Sequence, residues 1–297
     1  MNKLLKFGLL FVLIGIVAVV AIPLTTDNQI FSFDSDENYT LTEKSYTYNQ
    51  FNAFDFDFDN RNVFVYESED DQIHIRYYVH EKDTLSYKDD TNELTISISR
   101  RWVDHFFIFD IGSNKDYFDV YLYLPANITS SSLFIQTSNG EIEIDTDLEF
   151  QTLNLRSSNG DIDLLNTQAI SLKAVTSNGD IDLNNVDVSQ SISGKTSNGK
   201  VNLDQVTAAE IDFHTSNGKI NAQNITSPKV KLKTSNGEIY VSINGEMDDY
   251  KIDLSTSLGD KIVNDLKISS GLINPEKTNS VQLESSLGDV EVQFLND

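Results

Sequence analysis

Carboxylates that follow a repeated Ser-Asn-Gly motif are the residues of this chain best suited to chemistry. An acid comes directly after the glycine in most copies, and a second acid often follows two residues later. Clustered carboxylate oxygens suit Ca²⁺, and a pair of carboxylates can cleave a glycosidic bond. The pattern therefore suggests either calcium binding or glycoside cleavage. The clearest acids of the pattern are Asp161, Asp163, Asp180 and Asp182.

The acidic rows are interrupted. Lys200 and Lys219 replace the first acid in two copies, and Asn202 and Asn221 replace the second. Stacked like charges raise each other's pKa, which a bound cation would relieve. We expect a solvated charged face and no cofactor, with calcium held by Asp161, Asp163, Asp180 and Asp182 as the alternative.

Other catalytic groups are sparse. The chain has no cysteine, which excludes thiolate chemistry and disulfides, and its four histidines are His74, His80, His105 and His214. No histidine has a partner at metal-ligand spacing, and no repeat departs from the pattern to give one of its serines a base. The sequence therefore predicts a protein that is not an enzyme, with a polysaccharide-active β-helix enzyme and a calcium-stabilised rod as alternatives.

The elements that position these acids form a repeat. The glycines of six Ser-Asn-Gly copies lie 19 or 20 residues apart, at 140, 160, 179, 199, 218 and 237, and two decayed Ser-Leu-Gly copies follow at 257–259 and 286–288. Apolar and polar residues alternate on both sides of each motif, which is the strand pattern. Asn and Gly tolerate positive φ, so the motif predicts a sharp bend.

Two architectures fit this pattern. Asn-Gly between alternating strands is a hairpin signal, which would give an antiparallel meander. In a β-solenoid each repeat is one coil, and equivalent residues stack. Identical residue types at the same phase favour the solenoid, with a bonded column of the motif asparagines. One further inward apolar residue is expected after each second strand: Leu148, Leu165, Val186, Val206 and Ile225.

The domain organisation follows from this reading. Residues 127–297 form the regular solenoid of coils of about 20 residues, and residues 51–126 form an aromatic-rich region of irregular first coils. Residues 263–279 read as an insertion between the last two coils, suited to covering the final one. The fold class is therefore an all-β, single-domain β-solenoid.

The N-terminus predicts export. An apolar run at residues 7–22 follows two lysines, which suits a signal-anchor that spans the membrane or a cleaved signal peptide in residues 1–24. Residues 25–50 read as a flexible acidic linker. The expected location is the cell membrane, single-pass with an extracytoplasmic C-terminal domain, or secreted if the signal is cleaved. The net charge of −24 argues against a nucleic-acid partner.

The chain resembles a bacterial family known as putative adhesins with β-strand repeats, otherwise a domain of unknown function. The resemblance rests on the aromatic-rich opening, the strand ending in Leu124-Pro125 and the serial T-S-N-G-[DEK]-[IV]-x-[ILV] units, over about residues 45–297. The resemblance implies a right-handed parallel β-helix-like fold and an exported location. It implies no catalytic residues, because the family has no established set. The membrane-anchored layout also resembles LiaG-like members, which are linked to envelope stress. The expected role is adhesion, scaffolding or envelope-stress sensing, with an envelope protein or a glycan as partner.

Overall fold

The structure is a computed structural model, and it describes residues 39–47, 51–90, 92–100, 115–128 and 131–296. The predicted helix in residues 1–24 lies outside these ranges. Within them, no helix has the length and apolar character needed to cross a membrane. The described chain is all-β, with 23 strands in one open sheet and two short 3₁₀ turns at Lys115–Phe118 and Met247–Asp249.

The sheet winds into ten stacked coils with two main faces. Face A holds the strand that precedes the motif glycine in each coil, and face B holds the strand that follows it. Strands β13 (Ile181–Lys195) and β14 (Val201–His214) bend and serve both faces. The other strands of face A are β2 (Phe51–Asp57), β6 (Asn92–Arg100), β8 (Ser131–Gln136), β10 (Glu149–Arg156), β12 (Gln168–Val175), β16 (Lys229–Asn236), β18 (Tyr250–Leu258) and β22 (Asn279–Leu287). The other strands of face B are β3 (Asn62–Glu67), β7 (Asp119–Leu124), β9 (Ile142–Asp145), β11 (Ile162–Leu165), β15 (Ile220–Ile225), β17 (Ile239–Ile243), β19 (Lys261–Val263) and β23 (Val290–Phe294).

Successive repeats pair in parallel and in register. On face A, Leu153 pairs with Leu172, and Leu172 pairs with Ile192. These side chains are buried because alternate residues of a strand face opposite sides. Parallel pairing of equivalent residues fits a β-solenoid and does not fit the antiparallel meander, which pairs neighbours in the opposite direction.

The Ser-Asn-Gly corner is held by stacking rather than by positive φ. None of the six motif asparagines or glycines has a positive φ, which corrects the bend predicted from their conformational freedom. The glycine is required instead by close approach: a Cβ on Gly199 would lie 1.8 Å from the Gly179 carbonyl oxygen of the preceding coil. The asparagine amides do form the expected column; Asn178 Nδ2, for example, donates to Asn159 Oδ1 at 2.6 Å.

A second corner follows each face B strand, and there the backbone does turn left-handed. Asn166, Asn185, Gln205 and Asn224 have φ of 54° to 55°. The predicted inward residues near this corner are buried at Leu148, Val186, Val206 and Ile225. Leu165 was predicted wrongly: it is 39% exposed on face B, and Thr167 occupies the inward position instead.

Both ends of the stack are closed by antiparallel strands. At one end β4 (Gln72–His80) pairs with β7, β5 (Asp83–Asp90) pairs with β6, and β1 (Tyr39–Thr47) pairs with β4. Strand β1 therefore lies in a stretch that was predicted to be linker. At the other end β20 (Leu266–Lys267) pairs with β19, and β21 (Leu272–Ile273) pairs with β18.

The order of the coils in space differs from their order in the chain. The final coil, β22 and β23, lies between the coil of β16 and β17 and the coil of β18 and β19. At the other end, β2 and β3 lie between β6 and β7 on one side and β8 and β9 on the other. The insertion was expected to cover the final coil; it covers the penultimate one, because that coil is the outermost.

Candidate functional site

A groove of about 390 Å³ runs along face B across five coils. Its outward side chains come from alternate positions of neighbouring strands, so the strand ladder itself spaces them at ~4.8 Å. The residues that line the groove with polar groups, together with one exposed leucine, are Glu143, Asp145, Asp163, Leu165, Asp182, Asn184, Asn202, Asp204, Asn221 and Gln223. We call this set the face B groove.

The four candidate acids fall in two different rows. Asp161 and Asp180 follow the corner glycines, and their carboxylates bond to backbone: Asp161 Oδ1 accepts the N–H of Asp180 at 2.7 Å, and Asp180 Oδ1 accepts the N–H of Lys200 at 2.6 Å. These two acids therefore tie one coil to the next. Asp163 and Asp182 lie in the groove, side by side on paired strands.

The groove raises the pKa of both of its central acids. Burial raises the pKa of Asp163 from its ordinary 3.8 to about 8, helped by a hydrogen bond with Glu141 and by the charges of Asp182, Glu141 and Asp161. Burial also raises the pKa of Asp182, although the amide of Asn202, which donates to its Oδ1, acts in the opposite direction. Protonated Asp163 can thus act as a donor among acceptors.

The calcium alternative gains no support from this geometry. Among the described residues, no group of three His, Cys, Asp or Glu side chains is arranged to hold a metal ion. Two of the four candidate acids are engaged with backbone N–H groups, and the other two with side chains. Protonation and hydrogen bonding relieve the repulsion between these carboxylates.

An outward aromatic cluster adjoins the groove, and the aromatic-rich composition of residues 51–126 did not by itself predict it. The rings of Phe64 and Tyr121 stack with centroids 5.3 Å apart, and Tyr66 packs beside Tyr123. The Tyr66 hydroxyl donates to Glu143 Oε1 at 3.3 Å; burial, then the Glu143 charge, raise the pKa of Tyr66 to about 12. The signal lay in the alternation of Phe64 and Tyr66 with the buried Val63 and Val65.

A serine of β1 also meets a histidine of β4, and an acid just before β4 bonds to the same histidine. Ser45 Oγ lies 2.8 Å from His74 Nδ1, and His74 Nε2 lies 2.8 Å from Asp70 Oδ1. The hydrogen bond to His74 is the main cause that lowers the pKa of Asp70. In a hydrolytic triad the orienting acid is buried, whereas the Asp70 side chain is 55% exposed. We interpret the row as a surface network that joins β1 to β4.

Face A carries the opposite charge in the centre of the stack. Arg156, Lys173 and Lys195 come from three successive coils and are all exposed. The structure describes these three side chains and shows no ion pair for any of them, although the Arg156 guanidinium lies 5.5 Å from the Phe134 ring centroid. Further along, Lys231 and Lys233 are paired with Asp212 and Glu284 of adjacent strands.

Comparisons with known proteins agree with this architecture. A family model described as Toastrack DUF4097 matches residues 51–293. A crystal structure of a putative adhesin from Parabacteroides distasonis is 17% identical, with a TM-score of 0.53, and the match covers 86% of this chain and 97% of that one. A putative adhesin from Bacteroides fragilis is 14% identical, with a TM-score of 0.45 over 86% and 97% of the two chains. No curated protein matches the chain. At these identities the first structure supports the fold alone.

Proposed function

Because the chain belongs to the Toastrack DUF4097 family, whose model spans residues 51–293, we propose that it is a non-enzymatic extracytoplasmic protein that acts through the surface of its stacked coils. Residues 1–24 would hold it at the membrane or direct its secretion. Its role would be adhesion, scaffolding or envelope-stress sensing. The adhesion part is suggested by the description of the Parabacteroides distasonis protein as a putative adhesin.

The observation that carries this proposal is the face B groove. It extends over five coils and presents carboxylates, amides and one leucine in rows set by the strand spacing. Such a surface suits an extended partner, because many weak contacts at a regular spacing add up along it. Glycoside cleavage instead needs two carboxylates in opposite roles on either side of the bond. The acids of the groove stand in two neighbouring rows of the same face, one with Glu143, Asp163 and Asp182 and one with Asp145 and Asp204, so no observation favours the polysaccharide-active alternative.

A deletion in cells tests the proposal. A bacterial host whose own copy is removed would receive either the full chain or a form that lacks residues 51–296 but keeps residues 1–50. The proposal expects any adhesion or envelope-stress phenotype to be restored only by the full chain. It also expects protease added to intact cells to cleave a C-terminal tag. Restoration by residues 1–50 alone, or a tag that is protected in intact cells but cleaved after lysis, would contradict it.

A groove variant narrows the test to one surface. Asp182→Ala with Asn202→Ala should reproduce the deletion phenotype while the chain stays folded. The matched control is Asp187→Ala with Thr207→Ala, a pair that is exposed just after the second corner of the same two coils, on the short stretch that we call the third side. Equal effects of the two variants would show that the groove is not the surface that acts.

A further inference from the structure

The chain contains seven Asn-Gly pairs, and the asparagine of each is exposed. Six belong to the Ser-Asn-Gly corners, and the seventh is Asn244-Gly245. Asparagine is a chemically labile residue. A glycine after it adds to the lability, because glycine has no Cβ to obstruct its own main-chain nitrogen. The seven pairs share this chemistry, so the hydrogen bonds around each pair decide which of them can react.

The motif asparagines form one directional column, in which each Nδ2 donates to the Oδ1 of the preceding copy. Asn217, for example, donates to Asn198 Oδ1 at 2.8 Å and accepts from Asn236 Nδ2 at 2.7 Å. At the N-terminal end the column is closed by Asn60, which accepts from Asn139. An amide that is bonded on both sides must break two mutually strengthening hydrogen bonds before it can rotate.

The column has an open end at Asn236, because the next coil in space places Leu287 beside it. Asn236 Nδ2 donates along the column, but no group of the described chain donates to its Oδ1. Within the same described residues the N–H of Gly237 makes no hydrogen bond, whereas the N–H of Gly199 donates to Thr196 Oγ1 at 3.1 Å. Both halves of the pair at 236 and 237 are therefore held less firmly than those of the corner at 198 and 199.

We propose that Asn236 is a site of spontaneous modification, where the side-chain amide is lost through a cyclic imide formed with the main-chain nitrogen of Gly237. The Gly237 nitrogen gives its proton to water and attacks Asn236 Cγ. The Cγ–Nδ2 bond then breaks, and ammonia leaves with a proton returned by the solvent. Water opens the imide at either carbonyl, which leaves an aspartate or an isoaspartate at position 236. Water is the only co-reactant, and the inference does not depend on the proposed function.

The column gives the modification a direction. A carboxylate at position 236 has no N–H to donate, so Asn217 Oδ1 would lose its donor and Asn217 would become the new end. The N–H of Gly218 makes no hydrogen bond among the described residues either, so this pair should convert second. Asn198 should resist longer, because the N–H of Gly199 stays bonded to Thr196. Each step adds one negative charge at neutral pH.

Peptide mapping by mass spectrometry tests the order in the unmodified full chain. The chain, purified in detergent, would be kept in mildly alkaline buffer made with water enriched in heavy oxygen, and uptake of the label would be followed at all seven pairs. The same chain unfolded in urea gives the reference rate of each pair. We expect Asn236 to convert roughly tenfold faster than Asn139 or Asn198 in the folded chain, as the net effect of one hydrogen bond implies. Asn217 should convert only after Asn236. Equal rates at the six corners, a different first site, or no conversion in the folded chain would each overturn the proposal.

Moving the end of the column is the second test. Leu287→Asn adds one amide that can donate to Asn236 Oδ1, so conversion of Asn236 should slow roughly tenfold. The labile site should move to position 287, which also precedes a glycine. Leu258→Asn is the matched control: it adds the same pair one coil further out, away from Asn236, and should leave its rate unchanged. A rate at Asn236 that is the same in both variants would show that the open end does not control the reaction.

The product itself supplies the third test. Asn236→Asp should accelerate conversion of Asn217 from the start. Asn244→Asp is the matched control, because Asn244 bonds to Asn224 and Thr226 outside the column. Equal acceleration by both variants, or none by Asn236→Asp, would show that conversion does not spread along the column. The order in the unmodified chain needs no variant, so it decides the proposal even where a variant fails to fold.

Discussion

At the scale of single residues, the threonine of a Thr-Ser-Asn-Gly corner can bond in two directions. Thr196 is fully buried; its hydroxyl donates to the Gly179 carbonyl of the preceding coil at 2.9 Å and accepts the N–H of Gly199 at 3.1 Å. The same pair of bonds recurs at Ser157 and Thr176. This hydroxyl column explains why only threonine or serine occupies the corner.

Thr196→Val should therefore destabilise the fold. Valine keeps the shape but leaves a buried N–H and a buried carbonyl without their partner, a change that costs about 1–3 kcal/mol. Thr196→Ser keeps both bonds and should cost less. The free energy of unfolding from urea titration of the full chain checks this order. Equal losses in the two variants would mean that packing of the methyl group, rather than the hydroxyl, matters.

The raised pKa of Asp163 predicts a pH dependence of stability. Between its ordinary 3.8 and about 8, the folded chain holds a proton that the unfolded chain has lost. Stability from this group is therefore present at low pH and is lost as pH rises toward 8. Asp163→Asn cannot ionise, so it should be more stable than the parent above pH 8. Since the side chain is partly exposed, we expect on the order of 1 kcal/mol.

Melting temperatures at pH 5, 7 and 9 measure this difference. The advantage of Asp163→Asn should grow with pH. Asp187→Asn, which removes one exposed acid on the third side of the coil, is the control. If both variants gain equally at pH 9, the effect would be one of net charge and not of the groove.

At the scale of elements, a glycine of strand β13 packs against a phenylalanine of strand β14. Gly194 and Phe213 are paired neighbours, and a Cβ on Gly194 would lie 2.0 Å from Phe213 Cε1. Phe213 thus fills the space that Gly194 leaves open. Elsewhere in the same inward row the residues are intermediate in size, such as Ala174 and Leu232.

Gly194→Ala should lose stability by several kcal/mol, because overpacking a tight core forces shifts in its neighbours. In a Phe213→Leu background the same change should cost much less. A double-mutant cycle of unfolding free energies measures the coupling between the two positions. Additive losses would show that the phenylalanine does not occupy the space over the glycine.

The sequence predicted the individual strands better than the order in which their coils stack in space. Alternation around Ser-Asn-Gly located the strands and the inward residues, because period two is a local signal. The second corner was missed since its left-handed residue is Asn in three coils and Gln205 in the fourth, with no fixed motif. The outward cluster around Phe64 and Tyr66 was missed since an aromatic alternating with valine reads equally well as core.

The candidate site was predicted in part. The acids Asp163 and Asp182 were named from their spacing, and the structure places them in the groove. The cations Arg156, Lys173 and Lys195 on face A were not singled out, because they share no fixed phase of the repeat: Arg156 and Lys195 align through Val175, and Lys173 stands two positions away. Ser45 and His74 also meet only through pairing of distant segments.

At the scale of the whole molecule, the interleaved final coil can be tested at its corner. Asn236 is the Cα partner of Leu287, and Leu287 is the Cα partner of Leu258. Neighbouring strands are ~4.8 Å apart, within the Cα separation that a disulfide spans. In a chain without native cysteine, Asn236→Cys with Leu287→Cys should form a disulfide under mild oxidation.

The pair Asn236→Cys with Leu258→Cys is the matched control, since one coil separates these positions. Non-reducing peptide mapping by mass spectrometry distinguishes the outcomes. A disulfide between positions 236 and 258, with none between 236 and 287, would mean that the coils stack in chain order. The register of Thr256 and Ser285, whose hydroxyls donate to Gly288 and Gly237, predicts the opposite.

Because the final coil is interleaved, part of the stack cannot form until synthesis of the chain is almost complete. Strand β16 cannot receive its permanent neighbour until β22 leaves the ribosome, and β18 emerges before that. At ~5–20 residues per second the interval lasts on the order of several seconds. During it the β16 edge is either open, which invites pairing with other chains, or occupied by β18, which must then be displaced. Completion of this end of the rod therefore has to wait for the last residues translated.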